Sequence, residues 1–138
     1  MPSSKTGKAT VKKAAPKASD FGPVFQRLRQ IMSRHEPSLV VKADKPGNYT
    51  VVSPKPYKPY NNRELYFGAV MTQKNYVSYH LFPLYMCPEL SKELSPELKK
   101  RKQGKACLNF SMVDEGLFQQ LDALTRKGFD MFRRRELL

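Results

Sequence analysis

The amino-acid sequence predicts an α+β protein with an antiparallel sheet of about five strands and a helix near each end of the chain. Apolar residues recur at helical spacing over residues 20–36 and again over residues 114–135. Between these segments lie short runs rich in β-branched and aromatic residues, which are separated by clusters of Pro, Gly, Asn and Asp. The predicted order is one helix, four strands, short helices, one strand and a last helix.

The length and charge of the chain indicate one basic domain that follows a basic tail. With 138 residues, 40% of them hydrophobic, the chain is long enough for one domain with its own core. Residues 1–19 contain five lysines, no acid and little apolar surface to bury, so we expect a disordered tail. Residues 20–138 are predicted to form a single α+β domain. The formal net charge of +13 attracts polyanions.

The first predicted helix begins near Ser19 or Asp20, since either side chain can cap a helix, and it ends before Pro37. The apolar residues expected to face the core are Val24, Phe25, Leu28, Ile31 and Met32.

A first hairpin is predicted from strands at residues 38–43 and 49–53, joined by the turn DKPGN. The next segment, residues 54–64 (PKPYKPYNNRE), contains three prolines and two asparagines. Such a composition predicts an exposed, mobile loop.

A central hairpin is predicted from strands at residues 65–73 and 76–84, which are rich in aromatic and β-branched residues. Because side chains alternate along a strand, Val77, Tyr79 and Leu81 should face the core while His80 faces the other way.

Two short helices, one short strand and a long helix complete the prediction. The short helices open on Pro88 and Pro96, with Ser95 as a cap for the second. The segment Cys107 to Phe110 is read as a strand, and Asp114 as the cap of the last helix.

The segment KKRKQGK has two readings. In the first, the segment Lys99 to Lys105 forms the carboxyl end of the helix that opens on Pro96, where cations are favourable, and Gly104 ends that helix. As a binding patch, it belongs to a polyanion surface that holds phosphates through Coulomb attraction. The residues of that candidate surface are Lys99, Lys100, Arg101, Lys102, Lys105, Arg133, Arg134 and Arg135.

Catalytic motifs do not stand out in the sequence. Ser78 and His80 share a strand face, but side chains two residues apart on a strand stand about 7 Å apart, too far for a direct hydrogen bond. A Cys87 nucleophile with His80 as its base would require the chain to bend back at Pro83. There is no Walker loop, GxGxxG or HExxH. We therefore expect a non-catalytic binding protein and predict no cofactor.

Two further sets of residues are candidate sites. The aromatic side chains around the central hairpin could line a small-molecule pocket, and they are Tyr66, Tyr76, His80 and Tyr85. Carboxylates four residues apart can bind a hard cation or form ion pairs with nearby lysines, and they are Glu89, Glu93 and Glu97.

Residues 65–132 resemble the carboxyl half of small bacterial proteins of the YdhG-like family, a domain of unknown function. The resemblance lies in the strand pair YFGAV and KNYVSYHL, in PELKKRKQGKACLNF and in DEGLFQQLDALTRKGF. It implies a frataxin-like layer in which the first and last helices cover one face of the sheet. Some members are proposed iron chaperones, so the resemblance also implies an iron-chaperone or adaptor role.

The expected function is therefore binding, with the ligand unresolved between these alternatives. The basic surface favours nucleic acid or an acidic protein as partner. No apolar run reaches the roughly 20 residues that cross a bilayer, so no membrane partner is predicted. We expect a monomer or weak dimer in the cytoplasm, where two thiols, Cys87 and Cys107, stay reduced.

Overall fold

The structure is a computed structural model that describes residues 21–138. The predicted tail, residues 1–19, and both predicted capping residues, Ser19 and Asp20, lie outside the described residues. The first helix, α1, spans Gly22–Ser33 and has Phe21 in the capping position. Its buried residues are the five that the helical spacing predicted: Val24, Phe25, Leu28, Ile31 and Met32.

Six strands form one antiparallel sheet, which confirms the α+β class and adds one strand to the predicted five. The strand order across the sheet is β1-β2-β3-β4-β6-β5, and every neighbouring pair is antiparallel. The strands are β1 (Val40–Lys45), β2 (Asn48–Tyr57), β3 (Arg63–Thr72), β4 (Val77–Leu81), β5 (Lys102–Gln103) and β6 (Cys107–Phe110).

Three short helices lie between β4 and β5, and one long helix follows β6. The helices are α2 (Pro83–Met86), α3 (Pro88–Ser91), α4 (Pro96–Lys99) and α5 (Glu115–Arg134). Both predicted caps are confirmed. The Ser95 hydroxyl accepts a hydrogen bond from the Leu98 amide at 3.1 Å, and the Asp114 carboxylate accepts one from the Leu117 amide at 3.1 Å.

Helices α1 and α5 pack on the same face of the sheet. The Tyr79 hydroxyl on β4 hydrogen-bonds to the Thr125 hydroxyl on α5 at 2.6 Å. The rings of Phe67 on β3 and Phe132 on α5 have centroids 5.6 Å apart. Beside them, Gly68 leaves room for the Met32 side chain from α1. As predicted, Val77, Tyr79 and Leu81 are buried, whereas His80 points the other way and is half-buried.

The prediction of a loop at residues 54–64 is wrong, although the segment is largely exposed as predicted. Strand β2 continues through Tyr57, a short 3-10 turn follows, and Asn61 and Asn62 adopt positive φ angles of 55° and 63° before β3 begins at Arg63. The prolines are tolerated because β1 begins at Val40, which pairs with Val52, so the part of β2 beyond Val52 bonds only to β3. The segment is a hairpin rather than a loop.

Two predicted boundaries are also wrong. Strand β4 ends at Leu81 and not at residue 84, because Pro83 lacks the backbone N–H of a strand and starts α2. Helix α4 ends at Lys99, and the chain then extends so that Lys102 and Gln103 pair with β6. The expected stop at Gly104 becomes a turn between β5 and β6, with a φ of 71°.

Candidate functional site

One of the two edge strands of the sheet, β5, and the segments near it carry a dense group of cations. We call this group the cationic edge, and it consists of Lys92, Lys99, Lys100, Arg101, Lys102 and Lys105. All of these side chains are exposed except Lys102, which is half-buried. None of them forms an ion pair with a carboxylate of residues 21–138.

The cations of the two long helices are mostly neutralised by ion pairs. Arg27 on α1 binds Glu115 on α5 with a 2.8 Å contact, and Arg29 binds Asp44 on β1 at 2.6 Å. Arg34 lies 3.3 Å from Asp122. Other cations without a carboxylate partner in the described part of the chain, such as Lys58 and Arg63, are scattered over the strand ends. The unpaired charge is therefore densest at the cationic edge.

The terminal arginines of the predicted polyanion surface divide into two kinds. Arg133 pairs with Asp130 at 2.8 Å, and Arg135 lies 3.5 Å from Glu89 and donates a hydrogen bond to the Met86 carbonyl. Arg134 has no carboxylate partner within residues 21–138. Since two of the three arginines are already neutralised, the candidate surface centres on β5 rather than on the end of α5.

Three hollows open beside the cationic edge and share Lys102 in their walls. The first, of about 390 Å³, also contains Tyr76 and several amide side chains. The second, of about 470 Å³, contains Lys92 and Lys99, and the third, of about 560 Å³, contains Tyr85 and Lys105. Cations thus surround concave surface that a ligand could enter.

The structure brings together only part of the predicted aromatic pocket. The rings of Tyr66 and His80 lie 4.9 Å apart on the sheet face that α1 and α5 leave uncovered. Phe82 stacks on both His80, at 6.2 Å, and Tyr85, at 5.2 Å, and the Lys105 ammonium lies 5.6 Å from the Tyr85 ring centre. These rings form a packed row.

Tyr76 does not join this row, so the predicted four-residue pocket is wrong in this respect. It precedes the first residue of β4, whereas His80 lies near the other end of that strand. The two residues are four positions apart, which along a strand corresponds to about 13 Å. Tyr76 instead lines the hollow of about 390 Å³ with Arg101, Gln103 and Asn109.

A histidine and a cysteine meet on this same sheet face. The Nδ1 atom of His80 lies 3.0 Å from the Sγ atom of Cys107, its partner in the β4–β6 register. Burial lowers the pKa of His80 and raises the pKa of Cys107, so both groups favour their neutral forms. Burial, with the nearby thiol, also raises the pKa of Tyr66 to about 12. The sequence interpretation considered Cys87, which is buried elsewhere, because the pairing of β4 with β6 could not be read from spacing.

The predicted acidic row does not assemble into a metal centre. Glu89 faces Arg135 and Glu93 pairs with Lys127 from α5. Within residues 21–138, no three His, Cys, Asp or Glu side chains lie close enough to hold a metal ion together. Two of the three carboxylates, Glu89 and Glu93, therefore face cations in and just after α5 instead of one another.

The amide side chains beside Tyr76 were missed by the sequence interpretation. Asn109 donates a hydrogen bond from Nδ2 to Oε1 of Gln103 at 2.6 Å, and Asn75 lies in the same wall. Their only sequence signal is a polar residue at alternate positions of a strand, which is also common on solvated sheet faces.

Comparison of the chain with protein-family models, with curated proteins and with solved structures found no match in any of the three. In the described part of the chain, no helix combines the length and the apolar character needed to cross a lipid bilayer.

Proposed function

We propose that this protein is a non-catalytic nucleic-acid-binding protein whose cationic edge holds the phosphate backbone. The observation that carries the proposal is that six clustered cations have no carboxylate partner among residues 21–138, whereas most cations of the two long helices are paired. A cation that already has a carboxylate partner must lose that pair to bind a phosphate. An unpaired cation binds the phosphate without this cost.

The shape of the surface favours nucleic acid over an acidic protein. The cations border hollows that contain the polar and aromatic side chains of Tyr76, Tyr85 and Asn109. Stacking rings beside a cationic groove are typical of proteins that bind nucleic acid strands, because each base offers a flat face and each phosphate a charge.

The same charges predict a strong dependence on salt. Each phosphate neutralised on a single strand contributes about −0.7 to the slope of log affinity against log salt concentration. If four to six cations of the cationic edge act together, the slope is about −3 to −4.

The test compares two variants that lose equal charge. The first replaces three residues of the cationic edge, Lys100→Gln, Arg101→Gln and Lys105→Gln. The matched control replaces three exposed cations at other strand ends, Lys45→Gln, Lys58→Gln and Arg63→Gln. Fluorescence anisotropy with a labelled oligonucleotide of mixed sequence is measured for the full chain between 50 and 200 mM salt, on the order of the range where phosphate contacts show their effect.

We expect the first variant to lose at least about tenfold in affinity and about 2 in slope, and the control to lose at most about twofold. Equal losses in both variants, or an affinity that does not change with salt, would overturn the proposal. If poly-glutamate of the same length competes as well as the oligonucleotide, the partner is an acidic protein instead.

The proposal includes a YdhG-like assignment with a frataxin-like arrangement and a cytoplasmic location. The resemblance of residues 65–132 supports the YdhG-like assignment, and the packing of α1 and α5 on one sheet face supports the frataxin-like arrangement. The two free cysteines, Cys87 and Cys107, support a reducing compartment. The iron-chaperone alternative gains no support, since Glu89 and Glu93 are engaged with cations of α5.

A further inference from the structure

The hollow beside Tyr76 has the side chains of a site for a nucleic acid base. We call it the amide pocket, and its walls include Asn75, Tyr76, Arg101, Gln103, Asn109 and Ser111. We propose that the amide pocket accepts one unstacked base of a single-stranded nucleic acid. This inference rests on the proposed function and names the form of nucleic acid that the cationic edge holds.

The amide side chains of Gln103 and Asn109, which line the pocket, hold each other in position through a hydrogen bond. Gln103 on β5 pairs with Cys107 on β6, and Asn109 lies two residues further along β6, on the same face. Asn109 donates its hydrogen bond to Gln103 at 2.6 Å, which leaves the Oδ1 atom of Asn109 and the Nε2 atom of Gln103 without a partner among residues 21–138. If the donor were Gln103 instead, one donor and one acceptor would still remain.

A base edge offers donors and acceptors that match the free acceptor and donor of these two amides. Asn and Gln amides bind the N6 donor and N7 acceptor of adenine, an edge that a duplex also exposes, and the Watson–Crick edges of bases offer further donors and acceptors to the same groups. In single strands these edges are free, and proteins read them by hydrogen bonds to splayed-out bases. In a duplex the Watson–Crick edges are already paired, so we expect the pocket to favour single strands.

Tyr76 supplies the flat surface on which such a base would stack. Its ring is half-buried and lines the pocket. It makes no ring contact with another aromatic residue of the described chain, in contrast to Tyr57, Tyr60, Tyr66 and Tyr85. Because Tyr76 lines the pocket and no other aromatic ring of the described chain stacks on it, a bound base would meet this side chain first among the tyrosines.

The size and charge of the pocket agree with one nucleotide. Its volume of about 390 Å³ falls within the range of about 300–1,000 Å³ that is typical of small-molecule sites. Lys100, Arg101 and Lys102 stand in its wall, so the phosphates on either side of a bound base would meet unpaired cations.

The experiment measures dissociation constants for one oligonucleotide as a single strand and as a duplex, at one salt concentration and with the full chain. We expect the single strand to bind at least about tenfold more tightly than the duplex. Tyr76→Ala should lose about 5- to 100-fold in affinity for the single strand with no change in salt slope, because stacking and not charge is lost. Tyr76→Phe keeps the ring and should bind like the original protein.

Two further variants keep the test decisive. Tyr60→Ala removes an exposed tyrosine remote from the pocket and should leave affinity unchanged. Gln103→Ala combined with Asn109→Ala changes residues that are not fully buried, so it tests the amides even if Tyr76→Ala does not fold. We expect this double variant to lose affinity for the single strand selectively.

The failures of the two proposals can be told apart. If the duplex binds as tightly as the single strand, or if neither the Tyr76 nor the amide variants change affinity, the base pocket is wrong. If these variants have no effect while the substitutions at Lys100, Arg101 and Lys105 weaken binding, the cationic edge still holds phosphate. If the substitutions at Lys100, Arg101 and Lys105 weaken binding no more than the control substitutions do, the proposed function itself is wrong.

Discussion

His80 and Cys107 form a hydrogen-bonded pair across two neighbouring strands, with 3.0 Å between Nδ1 and Sγ. Such a pair is a catalytic dyad when the thiol gives its proton to the imidazole. Here burial lowers the pKa of the histidine and raises the pKa of the cysteine, and both shifts oppose the charged pair. We therefore expect an uncharged contact between a thiol and an imidazole.

This expectation can be tested through the reactivity of Cys107. Because the thiolate is the nucleophile, the rate of alkylation by iodoacetamide should rise with pH and reach half of its maximum above the ordinary thiol pKa of 9.0. Mass spectrometry assigns the adduct, since Cys87 is fully buried and should react more slowly. Free N-acetylcysteine serves as the control.

A midpoint below that of free cysteine would contradict the expectation. It would indicate a thiolate paired with an imidazolium, and it would reopen an enzymatic role for this sheet face. Replacement of His80 by Gln should then raise the midpoint again.

Protein stability should fall as the pH drops below the ordinary pKa of histidine. Burial lowers the pKa of both His35 and His80 from 6.5, although Asp122 partly opposes the shift at His35. Among residues 21–138, the Nε2 atoms of both rings are buried without a hydrogen-bond partner. Below pH 6.5 the two histidines therefore bind protons more readily in the unfolded chain than in the folded chain. Their contribution to the free energy of unfolding is complete above pH 6.5 and is lost as the pH falls toward their lowered pKa values.

Urea unfolding at pH 7.5 and at pH 5.5 measures this effect, which is at most about 1.4 kcal/mol per histidine per pH unit. The double variant His35→Gln, His80→Gln should show a flatter dependence over this interval. An unchanged dependence in the double variant would show that other groups cause the loss of stability.

Gly68 should tolerate no larger side chain, because α1 lies directly against it. A Cβ atom at this position would lie 2.5 Å from the Met32 methyl carbon and 2.7 Å from the carbonyl oxygen of His80. The methionine can move, but the strand backbone cannot move without loss of sheet pairing. Gly68→Ala should therefore lower the free energy of unfolding by about 1–3 kcal/mol, as overpacking does.

Gly22→Ala is the matched control, since a Cβ atom there would meet nothing within 4 Å. Alanine also favours the helix more than glycine does, so the control should be neutral or slightly stabilising. Urea unfolding midpoints that fall equally in both variants would refute the role of close packing against the His80 carbonyl oxygen and Met32 at this position.

The parts of the fold that depend on residues close to one another in the sequence were predicted well. The buried stripe of α1 and the caps Ser95 and Asp114 are confirmed, because helical periodicity and capping act within one or two turns. The prolines of residues 54–64 were misread, because proline is tolerated in a strand where one neighbour is absent. That condition depends on where β1 begins, since its first residue, Val40, pairs with Val52, and local composition does not contain it.

The candidate site likewise combines features that the sequence predicts with features that depend on the tertiary structure. The sequence by itself determined that cations gather at Lys99 to Lys105 and that the chain is basic overall. Only the tertiary structure decided that these cations lack carboxylate partners among residues 21–138 while Arg133 and Arg135 have them, and that Tyr76 lines the same hollow as Gln103 and Asn109. These relationships join residues far apart in the chain, and they are fixed by strand register and helix packing, which no local sequence pattern specifies.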